Sequence, residues 1–163
     1  MPEFATSYRM PYSADKMFAL AADIASYPEF VPLCEKAIIH SHDVLDDGRE
    51  LVQASLLVGY EKLHLNETFL SEVTIDPHRG HIRSISNTGP VKKLQADWTF
   101  VALNETSSRI DFRISYQMRS TTLQMVMSMM FDKAFQRIAQ AFRSRAEQIY
   151  GNRLKPLTVE AKV

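Results

Sequence analysis

The residues of this chain that could carry out chemistry are few, and the histidines and the single cysteine come first. His40 and His42 are two residues apart, so they would share one face of a strand, and with His64 they offer nitrogen ligands for a metal ion. No further ligand at a recognisable spacing completes such a site, and we interpret all three as surface residues. The lone Cys34 excludes an internal disulfide and a cysteine-based zinc cluster. We expect it to be a small buried side chain rather than a nucleophile.

Glu67 is the carboxylate whose surroundings are most informative. It lies two residues from both Leu65 and Phe69, and strict alternation along a strand would turn all three side chains inward. An inward carboxylate would have a raised pKa unless it were paired, and it could form a hydrogen bond with the head group of a ligand. The alternative is a place at a wet mouth, or on a bulge that turns Glu67 outward. Asp97 is opposite in parity to its neighbour Trp98 and should be solvated.

Motifs of the known catalytic classes are absent from the sequence. It contains no nucleophile elbow, no metalloprotease helix, no P-loop and no dinucleotide-binding fingerprint. We therefore identify no catalytic residue and no metal site.

Composition places the chain among ordinary globular proteins. Of its 163 residues 45% are hydrophobic and 23% are charged, which is enough for one domain with a sizeable core. The net charge of zero gives no overall attraction to nucleic acid or to anionic lipid. No apolar run approaches the ~18 residues of a membrane span, and no signal-peptide pattern is present. We expect a cytoplasmic protein with one domain over residues 1–151 and a loosely ordered tail over residues 152–163.

The elements that must position these residues follow from periodicity and from helix breakers. A first strand is predicted up to Pro11, and Ser13 would then cap a short helix. Pro28 and Pro32 interrupt the apolar segment that follows, so it cannot form one regular helix. The predicted strands cover residues 4–10, 37–45, 50–58, 60–75, 81–86, 94–102 and 110–118. This order of a strand, helices, six strands and a long helix predicts an α+β fold, with helices on one face of an antiparallel sheet.

The long C-terminal helix organises the rest of the chain. Thr121 and Gln124 form a predicted capping box and Gly151 a predicted left-handed C-cap, so the helix should cover residues 121–150. Its second half is amphipathic. Its first half is apolar nearly all round and contains four methionines within six residues, Met125, Met127, Met129 and Met130. Such a half-helix either forms a wide part of the core, or closes a ligand cavity or contacts a membrane or partner on its second side.

Several motifs match one protein family. The most specific is Tyr-Pro-x-Phe-x-Pro-x-Cys over residues 27–34. It agrees with further motif residues along the chain: Asp23, Ile24, Gly89, Pro90, Leu94, Trp98, Phe100, Phe112, Phe131, Ala141, Phe142, Arg145, Ala146, Tyr150 and Gly151. From about residue 8 to residue 151 the chain resembles the START-like (SRPBCC) superfamily with the helix-grip fold. Within it, the chain is similar to the coenzyme Q-binding and RatA-type proteins, often labelled polyketide cyclase/dehydrase.

The resemblance implies a strongly curved antiparallel sheet wrapped round the C-terminal helix, with two short N-terminal helices closing one end of a tunnel-like hydrophobic cavity. It implies a non-enzymatic protein, without a cofactor, that binds ubiquinone (coenzyme Q) or a similar polyprenyl lipid. Such a protein would support respiratory electron transport or quinone biosynthesis, in the cytoplasm or peripherally at the inner face of the cell membrane. The predicted ligand-binding residues are Tyr27, Phe30, Val31, Leu57, Leu65, Glu67, Phe69, Trp98, Phe112, Tyr116, Leu123, Met127, Phe131 and Phe135.

Two other functions stay open. The RatA-type resemblance implies binding to the large ribosomal subunit and a block of subunit association. The sequence offers for this a basic cluster near the C-terminus: Arg137, Arg143, Arg145, Arg153 and Lys155. These cations would equally suit the dipole of the last helix. The cyclase label implies an aromatase/cyclase acting on a polyketide, but no acid–base pair is evident in the predicted lining beyond Glu67 and the tyrosines.

Overall fold

The computed structural model describes residues 2–60 and 65–151, without the side chains of residues 60, 65, 131 and 132. In these residues a strand, short helices, six strands and a long helix follow one another in the predicted order. The strands are β1 (Glu3–Met10), β2 (Cys34–Val44), β3 (Glu50–Tyr60), β4 (Leu65–Asp76), β5 (His81–Ser86), β6 (Val91–Ala102) and β7 (Ser108–Met118). The α-helices are α1 (Ala14–Ala22), α2 (Tyr27–Phe30) and α3 (Thr121–Ala146), with a 3-10 turn at Ile24–Ser26 and a π turn at Glu147–Gly151.

All the strands belong to one antiparallel sheet in the order β1-β7-β6-β5-β4-β3-β2. β1 therefore pairs with the last strand, while the others pair with their neighbours in sequence. The register shifts twice along the β2–β3 pair, and once in the β6–β7 pair between Val91 and Lys93. Bulges of this kind bend and twist a strand, which favours a curved sheet with a concave face.

One face of the sheet packs against the helices and the other is exposed to solvent. In β7 the inward residues are buried and alternate with residues that are wholly or partly exposed; the inward set is Ser108, Ile110, Phe112, Ile114, Tyr116 and Met118. The core between sheet and helices also contains Met17 and Leu20 of α1 and Phe142 of α3. The predicted α+β class is confirmed.

The start of α3 differs from the prediction by one residue. Ser120, not Thr121, is the N-cap, and its hydroxyl accepts a hydrogen bond from the Leu123 backbone N–H at 3.3 Å. The side chain of Gln124 does not complete a capping box. Its Oε1 accepts a hydrogen bond from the Met118 backbone N–H at 2.7 Å, which ties the first turn of α3 to the end of β7. Both Ser120 and Thr121 can cap a helix, and serine is the preferred N-cap of the two.

Two other boundaries are also corrected. α3 ends at Ala146, and in the π turn that follows Gly151 has no positive φ, so the predicted left-handed cap is absent. Tyr60 is the last residue of β3 rather than the first of the next strand, which begins at Leu65. Residues 61–64, with His64, and the predicted tail over residues 152–163 lie outside the described residues. Along residues 2–60 and 65–151, no helix combines the length and the hydrophobicity that a membrane-spanning helix needs.

Two tight turns depend on glycine. Gly48 has a φ of +90° in the hairpin between β2 and β3, a conformation that L-residues rarely adopt. Gly80 has a φ of +60°, and a Cβ added there would lie 2.9 Å from the Phe100 carbonyl oxygen. The predicted turn over residues 76–80 therefore accepts only glycine at its last position without strain.

The outer face of the sheet contains a hydrogen-bonded network round Asp97. The alternation of side chains along this strand predicts that Asp97 faces the solvent. Asp97 Oδ1 accepts a hydrogen bond from Arg83 Nε at 2.7 Å and lies 2.8 Å from His81 Nε2, and Oδ2 accepts one from Gln95 Nε2 at 3.0 Å. Only 19% of the Asp97 side chain is exposed. Burial raises the pKa of Asp97, but the hydrogen bonds from Arg83, Gln95 and His81 outweigh burial and hold this pKa below its ordinary value.

Asp97→Asn is expected to destabilise the protein at neutral pH and to have less effect in acid. A carboxyl whose pKa is lower in the folded chain stabilises the fold above its unfolded pKa of about 3.9, and this contribution is lost as the pH falls through the folded value. Urea unfolding across the range of about pH 7 to pH 3 should show that the difference in free energy of unfolding between wild type and variant shrinks below about pH 4. Asp43→Asn, at an exposed position of β2, is the control. A difference that stays constant with pH would contradict the assignment.

Candidate functional site

A cavity of about 280 Å³ separates the inner face of the sheet from α3. The sheet supplies Ala54, Leu56, Val58, Phe69, Ser71, Val73, Ile82, Ser84, Leu94, Ala96, Trp98, Phe112 and Ile114. The helix α3 supplies Met127, Met130, Ala134, Phe135, Ile138 and Phe142. The segment from the 3-10 turn to the start of β2 supplies Ile24, Tyr27, Val31, Pro32, Leu33 and Cys34. Since this lining is almost wholly apolar, the cavity can bind a hydrophobic molecule.

The cavity exists because short side chains meet at the centre of the sheet. Ala54 in β3 pairs with Ser71 in β4, and Ser84 in β5 pairs with Ala96 in β6. All four residues line the cavity. Side chains of one or two heavy atoms cannot cross the gap between a sheet and a helix, which packed cores fill with larger side chains. A band of such residues across four adjacent strands therefore leaves the space in front of α3 unfilled.

Aromatic rings fill the space beside the cavity and hold α3 against the sheet. The rings of Phe112 and Phe135 are stacked with their centroids 4.1 Å apart. The indole of Trp98 lies 4.9 Å from the ring of Phe112, 6.0 Å from that of Phe135 and 5.4 Å from that of Phe142. Aromatic pairs at such separations contribute stabilisation beyond their buried area. The cluster thus fixes the distance between sheet and helix that keeps the cavity open.

Tyr27 forms another part of the wall and also caps α1. Its hydroxyl donates a hydrogen bond to the backbone carbonyl of Ala21, in the last turn of α1, where carbonyls lack partners within the helix. Burial raises the pKa of the Tyr27 phenol, with smaller contributions from Cys34 and Asp23. The phenol therefore stays protonated and acts as a fixed donor to Ala21. Its ring lines the cavity, with its centroid 5.9 Å from that of Phe142.

Tyr27→Phe is expected to lower the free energy of unfolding by about 1–3 kcal/mol, because the Ala21 carbonyl would be buried without its donor. Ligand binding should change little, since the ring remains. Chemical denaturation of wild type and variant measures the loss. Tyr27→Leu also removes the ring contacts with Phe30 and Phe142, so it should cost more. A Tyr27→Phe protein as stable as wild type would show that the hydroxyl contributes nothing to the cap.

The structure places half of the predicted ligand-binding residues in the cavity wall: Tyr27, Val31, Phe69, Trp98, Phe112, Met127 and Phe135. Phe30 lies behind the wall, with its ring centroid 5.1 Å from that of Phe142 and 5.2 Å from the guanidinium carbon of Arg145. The side chains of Leu65 and Phe131 lie outside the described residues. Contact between any of these residues and a ligand stays a prediction.

Two predicted residues pack next to the cavity rather than into it. Tyr116 and Leu123 belong to the cluster between β7 and the first turns of α3. The Tyr116 hydroxyl lies 3.0 Å from Ser128 Oγ on α3. Both side chains pack between the sheet and α3, but neither lines the cavity.

Leu57 and Glu67 require separate corrections. Leu56 and Val58 line the cavity, so Leu57 lies on the opposite face of β3, and its predicted place in the wall is wrong. Glu67 pairs with Val58 and therefore shares the inward face, as its parity indicated. It is partly exposed and does not line the cavity, which agrees with the alternative position at its edge.

The short residues of the sheet are missing from the predicted set. Ala54, Ser71, Ser84 and Ala96 each occupy an inward position of a strand whose approximate course is evident in the sequence. Their small size at inward positions was the available signal. It points to a cavity only when the register brings them together, and the register is not readable from a single strand.

The methionine-rich half of α3 presents two different surfaces. Met127 and Met130 line the cavity, whereas Met125 and Met129 point away from it with 62% and 79% of their surface exposed. The half-helix therefore closes the cavity on one side and stays uncovered on the other. Across the cavity, Leu33 lies in the wall with a φ of +71°, an unusual and strained backbone conformation for a leucine.

The remaining candidate reactive side chains that the structure describes are Cys34 and two histidines of β2, and they do not lie together. Cys34 lines the cavity, and burial raises the pKa of its thiol, which disfavours the nucleophilic thiolate. His40 Nε2 lies 2.6 Å from Ser55 Oγ on the outer face of the sheet, and His42 Nε2 lies 2.5 Å from Glu50 Oε1. His42 pairs with Val52, a core residue, because the register shifts between Ile39 and Ser41. The two exposed histidines therefore lie on opposite faces of β2, and the prediction that they share one face is wrong. Among residues 2–60 and 65–151, no three His, Cys, Asp or Glu side chains are grouped closely enough to hold a metal ion.

Known proteins share both the sequence pattern and the fold. The model of a family described as polyketide cyclase/dehydrase and lipid transport matches residues 10–143. The chain belongs to this family. One relative is the ribosome association toxin RatA of Vibrio cholerae, 28% identical over 93% of this chain and 99% of that protein. Another is the mitochondrial coenzyme Q-binding protein COQ10 homolog B of Xenopus laevis, 26% identical over 99% of this chain and 64% of that protein. The family resemblance inferred from the motifs is confirmed.

Three solved structures have the same architecture. An 18 kDa protein of Caulobacter crescentus is 27% identical, with a TM-score of 0.77 over 93% of this chain and 99% of that chain. A START superfamily protein of Mycobacterium smegmatis is 19% identical, with a TM-score of 0.76 over 90% and 98%. The aromatase/cyclase Zhui of Streptomyces is 17% identical, with a TM-score of 0.76 over 90% and 94%. The last two are similar in fold alone, and with the first they confirm the helix-grip arrangement of a curved sheet around the C-terminal helix.

Proposed function

We propose that the protein binds a small, largely apolar molecule of the ubiquinone class between the sheet and α3, and that it carries this molecule without chemical change. The observation that carries the proposal is the cavity lining, in which no described side chain is charged. The relative named as a coenzyme Q-binding protein favours a quinone over other lipids. Such a carrier would serve respiratory electron transport or quinone biosynthesis, in the cytoplasm and at the inner face of the membrane.

The size of the cavity limits how much of the ligand is enclosed. Ligand pockets typically measure ~300–1,000 Å³, and this cavity of about 280 Å³ is just below that range. We place the ring and the first part of a prenyl tail inside, with the rest of the tail leaving between the partly exposed residues 31–34 and Met127. Each buried CH₂ group contributes about 0.8 kcal/mol, so the enclosed part needs few polar contacts for affinity.

A carrier explains the lining better than an enzyme does. Ring closure or dehydration of a polyketide needs a general acid and a general base within hydrogen-bond reach of the substrate. No carboxylate, histidine or lysine among the described residues lines the cavity. The phenol of Tyr27 is engaged by the Ala21 carbonyl, and burial favours its protonated form.

Native mass spectrometry of protein purified from membrane-containing cells tests the proposal. We expect a fraction of the protein to carry one quinone or similar prenyl lipid, which organic extraction then identifies. Ala96→Phe places a ring in the cavity and, purified in parallel, should carry none. Preparations that never contain a lipid, even after incubation with quinone-loaded vesicles, would contradict the proposal.

Ribosome association is the second candidate, favoured by the relatives named RatA. The predicted basic cluster gives it limited support. Arg145 is engaged by Glu29 at 3.5 Å and by the ring of Phe30, while Arg137 and Arg143 are exposed. Residues 152–163, which contain the rest of the cluster, lie outside the described residues.

Sedimentation with large ribosomal subunits separates the two candidates. Binding through phosphates weakens steeply with salt, so a ribosome-binding protein should cosediment at low salt and dissociate as the salt concentration rises. Arg137→Glu combined with Arg143→Glu should then reduce cosedimentation. Absence of the protein from the subunit fraction at low salt would exclude this candidate and leave quinone binding unaffected.

A further inference from the structure

Two serines interrupt the apolar lining at its centre. Ser71 lies between Phe69 and Val73 along the inner face of β4, and it is buried, with 6% of its surface exposed. Ser84 is the corresponding inward residue of β5, and it also lines the cavity. Among the described residues, neither hydroxyl has a side-chain hydrogen-bond partner. Both side chains face the cavity, so a bound molecule can supply the hydrogen-bond partner that the chain does not supply.

The register makes the two serines diagonal neighbours on adjacent strands. Ser84 pairs directly with Val73 of β4, and Ser71 precedes Val73 by two residues on the same face. Diagonal neighbours of this kind on adjacent strands are ~7–8 Å apart at the backbone, and their side chains approach each other more closely. One oxygen atom of a ligand can therefore lie within hydrogen-bond reach of both hydroxyls.

The other hydroxyl in the wall is already engaged. Tyr27 donates to the Ala21 carbonyl, and the Cys34 thiol lies 3.8 Å from the Lys36 carbonyl oxygen. Ser86, two residues after Ser84, shows the alternative fate of a buried serine in this sheet, because its hydroxyl donates to the Leu70 carbonyl at 2.7 Å. Ser71 and Ser84 thus differ from these groups in facing the cavity with unused donors.

We infer that Ser71 and Ser84 bind a carbonyl oxygen of the ligand, so that the cavity selects planar apolar rings bearing a ketone or quinone oxygen over hydrocarbons of the same shape. The inference rests on the proposed function. It assigns the polar end of the ligand to the floor of the sheet, between β4 and β5, rather than to Glu67 at the edge. The ring then lies against Ala54 and Ala96, where the short side chains leave space.

A matched pair of probes tests the inference. Duroquinone (tetramethylbenzoquinone) and durene (tetramethylbenzene) have nearly the same shape and differ by the two carbonyl oxygens. Duroquinone has no free ring position for addition of the Cys34 thiol. Trp98, the single tryptophan of the chain, lines the cavity, so bound duroquinone should quench its fluorescence. Durene binding is then measured as the recovery of this fluorescence when durene displaces duroquinone.

Wild type should prefer duroquinone, and Ser71→Ala combined with Ser84→Ala should weaken duroquinone binding about tenfold while durene binding is unchanged or tighter. Ser71→Thr and Ser84→Thr keep the hydroxyl and should retain the preference. Ser86→Ala, which removes a hydroxyl bonded to the backbone, should lower stability without changing the preference. If the alanine variant lost affinity for both probes equally, or kept its affinity for duroquinone, the inference would be overturned. Saturable binding of duroquinone to the wild type would still support the proposed function. Failure of wild type to bind either probe would overturn both.

Discussion

Ala96→Phe should weaken the binding of apolar ligands about 100-fold while the protein stays folded. Ala96 lies at the centre of the sheet, paired with Ser84 on one side and Ile114 on the other, and all three line the cavity. A phenyl ring at this position occupies space that a ligand would otherwise fill. Displacing three or four CH₂ equivalents of the ligand, at about 0.8 kcal/mol each, corresponds to about two orders of magnitude in affinity.

The matched control for this variant is Leu57→Phe, on the outer face of the same sheet. Leu57 pairs with Lys36 and Thr68 and does not line the cavity. The Leu57→Phe protein should bind a short-chain ubiquinone with the same affinity as the wild type. Inserting a ring into a filled core costs ~1–3 kcal/mol, so thermal unfolding of the Ala96 variant is informative as well. A small change in stability with lost binding indicates an open space, whereas full retention of binding would show that the ligand lies elsewhere.

Phe135→Ala should have the largest effect on stability, a loss of about 3–5 kcal/mol in the free energy of unfolding. Phe135 is 4% exposed and lies where α3 meets the three strands β1, β6 and β7. Its ring stacks on Phe112 at 4.1 Å and contacts Phe4 at 5.7 Å, Tyr8 at 6.2 Å and Trp98 at 6.0 Å. Removing the ring deletes the contacts that hold α3 to β1, β6 and β7, and it leaves a new void next to the existing cavity.

Chemical denaturation measures this loss, with Met129→Ala as the control on the same helix. Met129 is 79% exposed, and its truncation should change the stability by no more than about 0.5 kcal/mol. A Phe135→Ala protein that loses less than about 1 kcal/mol would show that the aromatic cluster does not fix the position of α3.

The parts of the fold that are predictable from sequence are those governed by local periodicity. β7 was predictable to within two residues, since its alternating apolar side chains leave one choice of inward face. The apolar face of α3 follows in the same way from Phe135, Ile138 and Phe142. The N-cap was missed by one residue because the spacing of Thr121 and Gln124 indicated a capping box, whereas the Gln124 side chain bonds to the Met118 backbone N–H and Ser120 caps the helix.

The cavity itself is not predictable from periodicity. Alternation assigns a residue to a face, but not to a neighbour on the next strand, so Ser71 and Ser84 give no signal until the register places them together. The prediction for Leu57 failed for a different reason: an error of one residue in the alternation moves a side chain to the other face of the sheet. Large apolar residues are easy to identify as core candidates in a sequence, whereas the cavity depends on small residues.

Intermolecular nuclear Overhauser effects between duroquinone and the labelled protein test the central claim most directly. If the gap between sheet and α3 is a ligand site, the ligand methyl protons should show contacts with the methyl groups of Ala96, Ile114 and Ile138, which line the cavity from both sides. Contacts confined to exposed residues such as Met125 and Met129, with none to these three, would contradict the claim that the cavity is the binding site.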